Sequence, residues 1–165
     1  GHAKPSLTSI EEGVGKMKEA LAGRQDKSLT IVGRTIAFQL GDDADGVRRC
    51  KAYADAGVDA LMLVAPKSKA HIEAVNAATK LPIIIGRAGQ ELSDKAWLGA
   101  DNVRIALQGH QPFSAAVQAV YDTLKALREG AKPGELRGIA SPELMQRVTR
   151  AADYRQWTKD FLGGE

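Results

Sequence analysis

The sequence contains a single cysteine, Cys50, in 165 residues. One thiol excludes an internal disulfide framework and any multi-cysteine zinc site. It lies in "VRRCKAYADAG", which reads as a helix, so a half-buried structural thiol is expected. Aromatic residues are also scarce, at 5%. With Ala, Val, Leu and Ile abundant, that suits layered helix and sheet packing better than an all-β sandwich. No apolar run approaches the ~20 residues that cross a bilayer, and no secretory signal is visible. The expectation is a cytoplasmic protein with no membrane partner. Charge of one sign is never concentrated. The 23 basic and 20 acidic residues give a net charge of +3 and are interspersed. Without a basic block or interleaved aromatics, nucleic-acid binding is not expected. The three His and one Cys show no metal-ligand spacing, so no metal ligand is assigned in this chain.

What remains is an alternation. Apolar runs at "LTIV" (29–32), "DALMLV" (59–64), "LPIII" (81–85) and "VRIAL" (103–107) are separated by helical patterns. Val47, Cys50, Tyr53 and Ala54 share one helical face, and Gly57 stands where a helix-ending Gly belongs. Ser68 is an N-cap candidate for the next helix, with Ile72 and Val75 inward. A longer helix over about 113–128 carries Val117, Val120, Leu124 and Leu127. Runs apolar almost throughout fit parallel strands covered on both faces and joined by crossover helices. The fold class is therefore α/β. Before this unit, Ser9 and Glu12 have capping-box spacing for a helix to about Ala22, weakened by Gly13 and Gly15. After it, a Gly/Pro-rich connector leads to a terminal helical region capped by Ser141, with Pro142 in its first turn.

In parallel α/β folds, ligands meet the carboxyl ends of strands. Reading onward from each run gives Arg34, Lys67, Arg87 and His110. Arg presents a planar fork to carboxylate or phosphate, so Arg34 and Arg87 predict a small anionic substrate. His110 is a candidate acid, proton donor or carboxylate ligand. Lys67 reads as a helix-start surface charge, and His71 as surface or packing. "GDDADG" (41–46) lacks the rest of a cation loop, so Asp42 or Asp43 reads as a helix cap.

In this order, "IEEGVGKMKEAL", "LTIVGRTIAF", "CKAYADAGVDALMLVAPKS", "LPIII", "VRIALQGH" and the terminal "ADYRQWTKDFL" resemble the isocitrate lyase/phosphoenolpyruvate mutase superfamily. Its oxaloacetate decarboxylase-like branch is the nearest match. The resemblance implies the second half of a (β/α)8 TIM-type barrel at 1–130, with a connector and C-terminal, possibly swapped helices at 131–165. It implies a Mg²⁺-dependent carbon–carbon lyase acting on 2-oxo or 2-hydroxy dicarboxylates through an enolate. The Mg²⁺ ligands would lie in an N-terminal half that partners this one, and the whole would form a tetramer through the C-terminal helices. Alternatives are a phosphonopyruvate hydrolase, a methylisocitrate lyase-like enzyme, or a non-catalytic ligand-binding or assembly subunit. By this resemblance Arg34 holds a substrate carboxylate and His110 sits near the substrate. Gly1 and His2 resemble the end of a Cys-Gly-His gating segment beside the substrate; a tag remnant is the other reading. The sequence departs from the branch at Ile36, where a polar or acidic residue is common. It also departs in "GRAGQEL", which lacks a Tyr, and in "AKPS", which lacks a Gly-Lys continuation. A half-barrel would leave strand edges open, so the isolated chain is not expected to be a soluble monomer.

Overall fold

The computed structural model describes residues 4–163; Gly1 and His2 lie outside the described residues. By compactness the chain divides into two units, one ending at Gly109 and one starting at His110.

The first unit is built on four parallel strands, β1 (Val32–Thr35), β2 (Ala60–Val64), β3 (Ile83–Gly86) and β4 (Val103–Ala106), in the order β1-β2-β3-β4. Each parallel step carries the expected crossover. The short α2 (Ala37–Leu40) and α3 (Asp43–Ala56) follow β1, α4 (Lys69–Thr79) follows β2, and α5 (Lys95–Ala100) follows β3. The expected caps at Asp42 and Gly57 are in place. The Asp42 carboxylate accepts from the Asp45 N–H at 2.9 Å, and Gly57 ends α3 in the left-handed conformation.

The first strand begins three residues later than the apolar run "LTIV" suggests. The Asp59 carboxylate accepts from the Ile31 N–H at 2.7 Å, and the Ile31 carbonyl accepts from the Asp59 N–H at 2.9 Å. Arg24 bonds both Asp59 and the Leu29 carbonyl. These bonds tie down the entry to the strand, and the ladder proper opens at Val32 against Ala60. Arg34 therefore lies within a strand, not after one.

Both faces of the sheet are apolar, but within this unit one is fully covered and the other only in part. Leu61, Leu63, Ile83, Ile85 and Val103 join Phe38, Cys50, Tyr53, Ile72 and Val75 in a single buried core. On the other face, ladder pairing places Arg34, Met62, Ile84 and Ile105 in one row. Ile105 and the following Leu107 are about half exposed, at 49% and 50%. The second face is apolar by sequence and partly open in this unit: Ala60 and Val64 are buried on it, while Arg34 and Ile105 are exposed.

Cys50 is fully buried, deeper than expected, and burial pushes its thiol up to about 12. The thiolate is thereby suppressed, as an inert structural role requires. Arg49, also buried, is paired with Asp45 one helical turn away. The sequence pattern did not indicate that this pair would be inside.

The opening helix, α1 (Ile10–Ala22), is capped by Ser9, whose hydroxyl accepts from the Glu12 N–H at 3.0 Å. The Glu12 carboxylate pairs with Lys16. The two glycines of α1 differ. A Cβ on Gly13 would overlap the Tyr53 ring, which is itself pressed against Gly33 of β1. Nothing lies within 4 Å of one on Gly15. Gly15→Ala is expected to stabilise the complete protein by up to ~1 kcal/mol through helix propensity alone. Gly13→Ala should destabilise it by about 1–3 kcal/mol, because the packed ring cannot retreat. Thermal unfolding midpoints moving in opposite directions would bear this out.

The second unit contains α6 (Gln111–Arg128), α7 (Pro142–Val148) and α8 (Ala151–Leu162). Ser141 caps α7 and Pro142 takes its first turn, as the sequence predicts. The terminal helical region is divided in two at Arg150, which is left-handed at φ 56°. Within this unit Val117, Val120 and Leu124 on α6 and Tyr154 and Phe161 on α8 remain exposed. No helix among the described residues is long and apolar enough to cross a membrane.

Candidate active site

Arg34 is positioned by the alternation of its strand. On one side Gly33 lets Tyr53 approach closely. On the other, Thr35 is buried and its hydroxyl accepts from the Ala37 N–H at 3.1 Å, fixing the turn into α2. Neighbouring residues of a strand point to opposite faces, so Arg34 stands on the partly open face at the carboxyl end of β1. It is exposed, and no acidic side chain among the described residues pairs with it. Arg24, by contrast, meets Asp59 at 2.8 Å at the amino end of the sheet. There the Ile31 N–H and then Arg24 hold the Asp59 carboxyl below the usual carboxylate range. A cation is thus neutralised at the amino end of the sheet, while Arg34 at the carboxyl end has no acidic partner among the described residues.

The loops that leave β2 and β3 are fastened to each other. The Ala65 N–H donates to the Gly86 carbonyl at 2.7 Å, and the Gly89 N–H donates to the Pro66 carbonyl at 2.9 Å. Gly89 lies so close to the other loop that a Cβ there would stand 2.7 Å from the Lys67 carbonyl oxygen. Ala65 and Arg87, the residues that follow the two strands, are both left-handed, at φ 55° and 54°. A non-glycine residue in that region is strained by the order of 1–3 kcal/mol and persists where its surroundings dictate it. Arg87 is therefore held by backbone geometry at the rim, is exposed, and has no acidic partner among the described residues. Strands spaced about 4.8 Å apart place β1 and β3 roughly 10 Å from each other, within reach of two ends of one small dianion for long Arg side chains.

Lys67 is exposed at the end of the β2 loop. The structure also gives its backbone a specific partner that the sequence did not reveal. The Lys67 N–H donates to His71 Nδ1 at 3.1 Å, and His71 Nε2 stands 3.0 Å from Asp43 Oδ2. Ser68 occupies the N-cap position of α4 but makes no side-chain cap bond. The available signal was His71 at the third helical position, where a side chain reaches back to the N-cap region.

His110 occupies the N-cap position of α6, exposed and without a side-chain cap bond, after the left-handed Gly109. It heads the second unit, while Arg34, Lys67 and Arg87 belong to the first. The structure brings those three together at neighbouring strand ends and describes His110 with its own helix.

Among the described residues no three His, Cys, Asp or Glu side chains gather as a metal site. Asp59 is engaged at the amino end of the sheet, and Asp42, Asp43 and Asp45 serve the start of α3. The described residues of this chain do not fit a Mg²⁺ site at the rim.

The family model described as phosphoenolpyruvate phosphomutase matches residues 1–128. The chain belongs to that family. Within it, the chain is 55% identical to an oxaloacetate decarboxylase of Bradyrhizobium diazoefficiens, over 99% of this chain and 57% of that protein. It is 52% identical to an oxaloacetate decarboxylase of Rhodopseudomonas palustris, over the same shares. Among solved structures it resembles a phosphonopyruvate hydrolase in complex with oxalate and Mg²⁺, at 26% identity and a TM-score of 0.73, covering 94% of this chain and 57% of that one. Oxaloacetate acetylhydrolase is similar in fold, with a TM-score of 0.75 at 23% identity over 97% of this chain and 55% of that one. The chain spans a little over half the length of the curated relatives it matches. Four parallel strands with alternating helices are what part of a barrel in this family provides.

Proposed function

We propose that the complete protein is a carbon–carbon lyase that decarboxylates oxaloacetate or a close 2-oxo dicarboxylate, and that this chain supplies its anion-holding rim. The observation that carries the proposal is Arg34, an exposed cation at the carboxyl end of β1 with no acidic partner among the described residues. Identity of about half to relatives named oxaloacetate decarboxylase supports the choice of substrate.

Loss of CO2 from a 2-oxo dicarboxylate sends the electrons of the breaking bond into the oxo group as an enolate. On this reading Arg34 holds one carboxylate by a bidentate pair and so orients the bond that breaks. Arg87 takes part in binding the dianion. His110 stands near the substrate and delivers a proton to the enolate carbon. Gly1 and His2 are assigned to a gating segment beside the same site. Mg²⁺ is assigned to acidic residues of the complete protein outside this chain, where it would act as a Lewis acid that stabilises the developing enolate charge.

We further propose that residues 1–130 form the C-terminal half of a barrel completed by an N-terminal half, with residues 131–165 as connector and terminal helices through which a cytoplasmic tetramer assembles. The partly open sheet face and the exposed apolar residues of α6 and α8 support this.

A second reading, a phosphonopyruvate hydrolase, draws on the 26% identical solved structure. Comparing kcat/KM of the complete protein for oxaloacetate, phosphonopyruvate and 2-methylisocitrate, with and without Mg²⁺, separates the readings. Oxaloacetate is expected to be preferred. A preference for phosphonopyruvate would select the second reading, and no turnover of any of the three would favour a binding or assembly subunit.

A further inference from the structure

We propose that His71 is a positioning residue for the rim: it fixes the loop after β2 and, through that loop, the segment that carries Arg87. The consequence for substrate binding rests on the reading of the rim given above; the structural coupling does not.

His71 is the third residue of α4, and its ring is held from three sides. Its Nδ1 accepts from the Lys67 N–H, so that nitrogen presents its lone pair. In the neutral ring the proton then resides on Nε2, which faces Asp43 Oδ2 at 3.0 Å. The ring also lies against the buried Phe38, with centroids 5.1 Å apart. Only 12% of the side chain is exposed. Because the Ser68 side chain makes no cap bond, His71 supplies the side-chain hydrogen bond at this loop.

From Lys67 the connection passes to the neighbouring loop. The carbonyl of Pro66, fully buried, accepts from the Gly89 N–H, and the Lys67 carbonyl oxygen stands 2.7 Å from where a Cβ on Gly89 would lie. Gly89 is two residues from Arg87, whose left-handed backbone must be imposed by its surroundings. Asp43, His71, the Lys67 and Pro66 backbone, Gly89 and Arg87 thus form one continuous link from the start of α3 to a rim cation. A sequence pattern cannot show such a link, since it joins three segments through backbone groups.

The test uses two amide variants of the complete protein. His71→Asn places an oxygen where Nδ1 stands and keeps the acceptor for Lys67. His71→Gln places its amide where Nε2 stands, keeps a donor for Asp43 and loses that acceptor. The H71Q variant is expected to speed amide exchange at Lys67 and Gly89 by roughly tenfold or more, as local opening becomes easier. It should raise KM for oxaloacetate about tenfold with kcat nearly unchanged, the pattern of lost uniform binding. The H71N variant should stay near the parent in both. Asp43→Ala, which leaves the ring and removes its Nε2 partner, should give a smaller change of the same kind and replaces H71Q should that variant not fold. Equal behaviour of H71N and H71Q would overturn the proposal, as would unchanged Gly89 exchange in H71Q. Faster exchange with an unchanged KM would overturn the link to Arg87. If the parent does not turn over oxaloacetate, the functional reading fails separately, and Gly89 exchange still decides the coupling.

Discussion

Arg34→Ala in the complete protein is expected to lower kcat/KM for oxaloacetate by about a thousandfold, the ~4 kcal/mol that follows from removing a charge-assisted bidentate partner of a desolvated anion. The expectation rests on the side chain's position. Thr35 anchors the turn on one side of Arg34 and Gly33 receives Tyr53 on the other, so truncating Arg34 leaves the strand and core undisturbed. The loss should therefore appear in steady-state kinetics without a change in unfolding temperature. Arg34→Lys keeps the charge and discards the planar fork, and recovery should be partial. Full activity in R34A would remove Arg34 from the site.

Gly89→Ala is expected to be the most damaging glycine substitution at the rim. A Cβ at this position meets the Lys67 carbonyl oxygen and carbon, at 2.7 and 3.3 Å. Both are backbone atoms of a loop closed by Pro66 and His71, so no side-chain rotation relieves the clash. The two loops must part, at a cost of about 2–4 kcal/mol by comparison with other overpacked or strained sites. Denaturant unfolding should show the loss directly. Because the same movement shifts Arg87, KM for the dianion should rise as well. Gly99→Ala, inside α5 and with nothing within 4 Å of the added Cβ, is the control: KM should stay close to the parent value and stability should be unchanged or rise by up to ~1 kcal/mol through helix propensity.

The sequence conveyed the alternation of strands and helices well, because local chemistry decides it. Ser9, Asp42 and Ser141 cap helices with hydrogen bonds formed within three residues, and Gly57 ends one by its own conformation. Features decided by distant groups were not legible. The start of β1 is set by Asp59, 28 residues away, which accepts from the Ile31 N–H. The buried Arg49 and Asp45 look like any solvated pair one helical turn apart. His71 reads as an isolated helical histidine until Asp43 and the Lys67 backbone are brought to it. That the cations lie at strand ends was legible, because residues following a buried strand reach its carboxyl end whatever the details. The three-residue shift of β1 moved Arg34 into the strand and still left it at that end. Its facing direction needed the ladder register, which no local pattern contains.

The rim is proposed to hold a 2-oxo dicarboxylate for decarboxylation. Following oxaloacetate with the complete protein and counting products tests this most directly. One pyruvate and one CO2 are expected for each oxaloacetate consumed, at a rate far above the spontaneous reaction and nearly abolished in R34A. Oxalate and acetate as products, or consumption no faster than without protein, would contradict it.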